Sequence, residues 1–202
     1  MTTPHKLVIG IVGAIGAGKS AAAAAFARRG GAVVDADRLG HAVLERPDVK
    51  NELVTRWGTE VIKPDGTANR RAVAAIVFNS PAERRVLEGV VFPHIRRMAV
   101  EAVETARADP AARFVVLDAA VMLEAGWNGA CDRIVYVDAA RPVRLARLAE
   151  RNGWGEDEVT AREAAQLPAA EKRATADAVV INDGTRDGLQ EQVDRLLTLW
   201  DL

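Results

Sequence analysis

The chain has 202 residues, 49% of them apolar, and a net charge of −1, which suits one α/β domain carrying an insertion. So neutral a balance excludes a broad nucleic-acid-binding face, which needs a basic surface to neutralise phosphates, and no apolar run approaches the ~20 residues of a membrane span. The one cysteine, Cys131, cannot form an internal disulfide and has no activating neighbour, so a reducing, cytoplasmic setting and a packing role are expected.

In chain order, Lys6 and the apolar residues after it have the outline of a signal peptide, but cleavage there would destroy the motif that follows. Val8 to Val12 is apolar on both alternations, the pattern of a central parallel strand covered on both faces. It leads into Gly13-Ala14-Ile15-Gly16-Ala17-Gly18-Lys19-Ser20, which fits the phosphate-binding pattern G-x-x-x-x-G-K-[ST]. The glycines let several N–H groups converge, and the helix behind them favours an anion. Lys19 is expected to reach the β- and γ-phosphates and Ser20 to ligate Mg²⁺. The helix begins at Lys19, packs its small residues Ala21 to Ala25 against a sheet with Phe26 as anchor, and is expected to end at Gly30-Gly31.

Ala32-Val33-Val34 predicts a second strand ending in Asp35-Ala36-Asp37. Ligands of open α/β sheets gather at such carboxyl ends. Asp35 and Asp37 share a side if the strand runs through them; alternatively, Asp37 caps a helix over Arg38 to Leu44. Ala36 to Arg113 then shows little strand signal, and a parallel crossover needs only about a dozen residues, so a mostly helical insert is expected. Trp57-Gly58 closes one helix, Pro64-Asp65-Gly66 is a turn, and Asn69 caps a helix through Val77. Ser80-Pro81-Ala82-Glu83 starts another, and Pro93 a further one to about Ala108. The arginines at 70, 71, 84, 85, 96 and 97 read mostly as solvated faces, with one or two available for an anionic acceptor.

Phe114 to Asp118 predicts a third strand whose terminal acid has the Walker B pattern that helps hold Mg²⁺; Glu124 and Gly126 lie in the loop beyond. Arg133 to Asp138 is a fourth strand. Arg144, Arg147 and Arg151 then fall on one helix face, either a lid closing on phosphates or a solvated face paired with Glu150 and Glu163. Gly153 and Gly155 offer a hinge, and Arg162 and Gln166 lie four apart on the next helix. Ala178 to Ile181 is a fifth strand. Asn182-Asp183-Gly184-Thr185 turns it into a final helix, Arg186 to Trp200, at a place where adenine can rest against backbone.

Taken together, these motifs resemble the dephospho-CoA kinase family along nearly the whole chain. The resemblance is carried by the Gly13–Ser20 loop, Val34-Asp35-Ala36-Asp37, Asp65-Gly66 with Asn69-Arg70, Val77-Phe78 and Leu87-Glu88. It continues through Leu117-Asp118, Leu123-Glu124, Arg147-Leu148, Arg151-Asn152-Gly153, Arg162, Gln166, Lys172, Ala176-Asp177 and Ile181-Asn182-Asp183-Gly184. It departs at Phe92-Pro93, where the family usually has His-Pro, at Ala120-Val121-Met122, where it has Pro-Leu-Leu, and at Ala14, a common glycine.

The resemblance implies a P-loop kinase-type three-layer α/β/α fold with a five-stranded parallel sheet in a single domain, residues 1–202. The helical acceptor-binding insertion falls at about 38–112 and the helical lid at about 141–175. It implies phosphorylation of the ribose 3′-hydroxyl of dephospho-CoA by ATP with Mg²⁺, the last step of coenzyme A synthesis, by a monomer or weak homo-oligomer. Asp37, Lys19, Arg147 and Arg151 are then the catalytic group. The loop residues Gly13, Ala14, Ile15, Gly16, Ala17, Gly18, Lys19 and Ser20 hold the nucleotide, with Asn182, Asp183 and Gly184. Asp37, Arg70 and Glu124 face the acceptor, and Ser20 and Asp118 hold the metal. Another nucleoside, nucleotide or small-molecule kinase of the same fold is the alternative. A GTP switch is the more distant one: Asp37-Arg38-Leu39-Gly40 fits Asp-x-x-Gly, but the chain has no Asn-Lys-x-Asp guanine reader.

Overall fold

The computed structural model describes residues 6–78 and 80–202, and close contacts divide them into two units. One comprises the chain up to Asp35 together with Ala102–Leu202; the other is Ala36–Glu101.

The first unit is built on five parallel strands: β1 (Val8–Gly13), β2 (Gly31–Asp35), β3 (Phe114–Asp118), β4 (Arg133–Asp138) and β5 (Ala178–Ile181), in the order β2-β3-β1-β4-β5. β1 is central and every residue of it is buried, as its unbroken apolar run requires. On one face Ile9 and Ile11 join Val116, Val135 and Val137 in a core with α1 (Lys19–Ala27) and the C-terminal helix, residues 186–199. Phe26 anchors α1 there, edge-on to Phe114 at 6.2 Å between ring centroids. On the other face Gly10 lies so close to Cys131 and Met122 that an added Cβ would come within 2.7 Å of the Cys131 sulfur. Burial pushes that thiol up to about 12, so Cys131 is the packing residue its surroundings suggested. Two aspartates extend the ladder past the strand ends: Asp132 accepts from the Val8 N–H at 2.7 Å and Asp177 from the Ile134 N–H at 2.6 Å.

Several local expectations are corrected. α1 stops at Ala27; residues 28–30 turn the chain, and Gly31 belongs to β2 rather than to the helix end. β2 pairs with β3 from its first residue, with Gly31 in register with Phe114. β2 ends at Asp35 and α2 (Ala36–Leu44) starts at once, so Asp37 sits in the first helical turn and does not continue the strand.

The second unit holds α2, α3 (Pro47–Trp57), a 3₁₀ turn (Thr59–Val61), α4 (Arg70–Phe78) and most of α5 (Pro81–Ala108). Its caps follow the sequence: Asn69 Oδ1 accepts from the Ala72 N–H at 3.3 Å and Ser80 Oγ from the Glu83 N–H at 3.3 Å. Pro93 does not start a new helix; it lies inside α5, a single helix of 28 residues. Proline removes one backbone donor, but α5 continues through it because the buried row Val91, Ile95, Ala99 is unbroken. Val43, Val49, Leu53, Val61 and Val73 are also buried in this unit.

The lid region of the sequence folds as α6 (Arg141–Asn152), α7 (Glu156–Glu163) and α8 (Ala169–Ala174), followed by β5 and α9 (Arg186–Leu199). α8 is a helix that the sequence did not announce, and Gln166 lies beyond α7 in the turn to it rather than on one helix with Arg162. Among the described residues no helix is long and apolar enough to cross a membrane.

Candidate active site

The Gly13–Ser20 loop joins β1 to α1, the strand–loop–helix context its motif needs. Gly18 caps α1 in the left-handed region at φ 90°. A Cβ there would sit 2.2 Å from Asn182 Nδ2, so the position needs glycine for backbone freedom and for space. Asn182 is buried and donates to Ala17 O at 2.8 Å. Lys19 Nζ lies over the loop, 3.3 Å from Gly13 O and 3.5 Å from Ala14 O. Ser20 is exposed at the start of α1.

The arginines of α6 do not act as one face. Arg144 is buried, and its guanidinium donates to Ala139 O at 3.1 Å, to Ile15 O at 3.1 Å and to Glu163. Glu163 also receives Arg141 at 2.5 Å. Burial opposes ionisation of Glu163, but the hydrogen bonds from Arg144 and Arg141 outweigh it and hold the carboxyl below the usual range. Glu163 is thus the acidic partner that the solvated-face reading expected, but for Arg141 and Arg144, and in a partly buried cluster. Arg147 instead donates to Asn182 O at 2.7 Å and approaches Ala17 O at 3.5 Å. Arg151 is exposed and bonds Asn152 at 2.9 Å. The loop is therefore braced at Ile15 by Arg144 and at Ala17 by Asn182. Within this helical region Arg162 stacks on Trp154, 3.9 Å from the ring centroid.

Asp118 ends β3 and stands in register with Asp35 at the end of β2, while Ile11 of β1 is its partner on the other side. In-register neighbours point to the same face of a sheet, so two carboxylates stand side by side at the carboxyl edge beside the strand that feeds the loop. Sequence reasoning had grouped Asp35 with Asp37; the structure groups it with Asp118. Carboxylates together with a serine hydroxyl form a hard-oxygen donor set of the kind Mg²⁺ takes.

Asp183 accepts from the Ala140 N–H at 2.7 Å, and Asn182 N–H donates to Asp138 O at 2.8 Å, so the 182–184 turn is fastened to the start of α6. Glu124 is held by Lys172, 2.7 Å from its Oε1. Lys172 and Asn182 are buried polar anchors whose structural part the sequence hid: Asn182 read only as part of a turn, and only the family pattern drew attention to Lys172. A pocket of about 220 Å³ opens beside the loop, lined by Ala14, Ile15, Arg144, Glu163, Gln166 and Lys172 among others. In the second unit Asp37 and Arg70 are exposed near the starts of α2 and α4, and a groove of about 500 Å³ is lined by Leu53, Trp57, Val86, Val90 and Arg56.

The family described as dephospho-CoA kinase (CoaE) matches residues 7–187. A dephospho-CoA kinase of Anaeromyxobacter dehalogenans is 42% identical over 94% of this chain and 90% of its own. A Thermus thermophilus protein of known crystal structure superposes with a TM-score of 0.78 at 36% identity, covering 96% of this chain and 97% of that one. A dephospho-CoA kinase from Campylobacter jejuni shares the fold with a TM-score of 0.70 at 19% identity, over 95% of both chains.

Proposed function

The chain belongs to the dephospho-CoA kinase family and is an ATP-dependent dephospho-CoA kinase, and from that premise we propose that Asp37 is the base and the Gly13–Ser20 loop the phosphate holder of the reaction. The reaction phosphorylates the ribose 3′-hydroxyl and yields coenzyme A. Phosphoryl transfer asks the protein mainly for positioning and charge stabilisation. The observation that carries the assignment is the braced loop: its conformation is held by Arg144 at Ile15 and by Asn182 at Ala17. Its amides are preorganised for the β- and γ-phosphates, and Lys19 reaches across the same loop.

Asp37 orients the ribose hydroxyl and takes its proton. Its place supports this: α2 begins directly after β2, so Asp37 follows the strand's carboxyl end by two residues and is exposed. Ser20 and Asp118 hold Mg²⁺, with Asp35 beside Asp118 to orient it or a bound water. When bound, that ion neutralises charge on the phosphate oxygens. Arg147 and Arg151 neutralise the charge that develops on the transferred group. Asn182, Asp183 and Gly184 support the adenine with backbone. Residues of about 141–175 act as the lid, and the insertion at about 38–112 binds the acceptor through Arg70 and the groove at Leu53 and Trp57. Glu124 contributes to the acceptor from the β3 side. A cytoplasmic setting fits the half-buried, unactivated Cys131.

The test is an acceptor panel with purified protein, ATP and Mg²⁺: dephospho-CoA, nucleosides, nucleoside monophosphates and shikimate. Dephospho-CoA should be consumed with equal ADP release, and phosphorus NMR should show a new 3′-phosphomonoester. Preferred turnover of any other acceptor would overturn the assignment.

A further inference from the structure

Lys172 is only 1% exposed, the most buried charged side chain among the described residues. In a short polar helix such as α8, a lysine ordinarily extends its ammonium into water. Here Nζ donates to Ala120 O at 3.3 Å and to Gln166 Oε1 at 3.0 Å, and pairs with Glu124 Oε1 at 2.7 Å. An ammonium has three donors, so none remains for a phosphate. Lys172 borders the pocket beside the loop, but its charge is already committed.

Its partner is loaded unevenly. Glu124 Oε1 takes Lys172 and also the Leu167 N–H at 3.0 Å. Glu124 Oε2 is buried and meets no hydrogen-bond donor among the described residues. A buried carboxylate oxygen without a donor is destabilising, and an isolated case in a native site asks for a ligand or a functional reason. The arrangement fixes the carboxylate by one oxygen and leaves the other without a donor.

We propose that Lys172 is a positioning residue that holds Glu124 so that Oε2 accepts a hydrogen bond from the acceptor substrate. This rests on the placement of Glu124 at the acceptor argued above. A carboxylate repels phosphate, so the group it takes is an uncharged O–H or N–H, of which dephospho-CoA offers hydroxyls, amides and an adenine amine. Lys172 touches no substrate. It removes the rotational freedom of Glu124 before the acceptor arrives, which is the use of a preorganised supporting residue, and through Ala120 O it also ties down the loop that carries Glu124.

The test uses the full chain, steady-state kinetics for both substrates and a thermal melt. Lys172→Met should raise KM for dephospho-CoA about tenfold, the scale seen when a supporting partner is lost, with KM for ATP within about twofold. Glu124→Gln should raise the same KM. Because Lys172 acts through Glu124, adding Lys172→Met to Glu124→Gln should raise it no further, and this comparison decides the matter if the single Lys172 variant melts too low to assay. An unchanged dephospho-CoA KM in folded Lys172→Met, an equal rise in both KM values, or a further rise in the double variant would overturn the positioning role. An unchanged KM in Glu124→Gln would overturn the placement of Glu124 itself.

Discussion

The surroundings of the phosphate loop and the helical unit satisfy their polar groups in opposite ways. Around the phosphate loop the polar side chains are buried and bonded to backbone: Arg144 to Ile15, Asn182 to Ala17, Lys172 to Ala120. In the helical unit the ion pairs are exposed: Arg56 with Glu83 at 2.6 Å, and Arg46 with Asp48 at 2.8 Å. Buried, bonded groups define one loop shape and resist change, because removing a partner strands a desolvated group. Exposed pairs contribute little and are screened. The donor loop is thereby held in one shape, while the helical unit can vary its exposed charges at little cost.

The largest effect expected is on the one catalytic group assigned to the helical unit. Asp37→Asn should lower kcat by about 10²–10⁴-fold, the range of a general base, with ATP binding nearly unchanged by titration calorimetry. If Asp37 served only as an acid in the first turn of α2, stability would fall by less than about 1 kcal/mol and kcat would hold, which would remove the base from this unit.

A smaller effect contrasts two glycines of similar backbone. Gly18→Ala combines a left-handed φ of 90° with a Cβ 2.2 Å from Asn182 Nδ2, whereas Gly66, at φ 80° in the helical unit, has nothing within 4 Å of an added Cβ. Gly18→Ala should destabilise by about 2–3 kcal/mol and weaken ATP binding, and Gly66→Ala by about 1 kcal/mol with ATP binding intact. Equal denaturant midpoints for the two variants would break the contrast between a crowded loop and an open turn.

The smallest effect is on acid stability. Hydrogen bonds from Arg56 and then Trp57 hold the Glu83 carboxyl down at about 2, against 4.5 for the free group. A carboxyl depressed by folding stabilises the folded state fully above its unfolded value, and that contribution is lost as pH falls through the folded one. The Glu83 contribution should therefore fade between 4.5 and about 2. Glu83→Gln should melt with a shallower dependence on pH across that window; an unaltered profile would show that the exposed pair contributes nothing.

The loop and the strands were legible because their signals are local. Gly13–Ser20 is a contiguous motif, and the apolar runs of β1, β3 and β4 need only burial on both faces, while β5 at the edge is read from its β-branched run. Where a reading depended on how far an element runs, it slipped. Pro93 looked like a helix start because proline is favoured there, yet the buried row Val91, Ile95, Ala99 carries α5 through it. Asp37 looked like strand because Asp-x-Asp alternates, but α2 forms at Ala36. The arginines of α6 looked equivalent because spacing places them on one face, though Arg144 and Arg147 find partners in distant segments and Arg151 only its neighbour Asn152.

By itself, the sequence determined the nucleotide-binding chemistry and the family, since both reside in short motifs whose residue types the reaction demands. Tertiary structure decided which charges are buried and which stay partly open to solvent. Arg144 and Lys172 carry the same kinds of charge as Arg147 and Lys19, but the first two are buried against acids and carbonyls brought from 19 and 48 residues away, Glu163 and Glu124. Burial and partners of that kind depend on the packing of remote segments, and no local pattern encodes them.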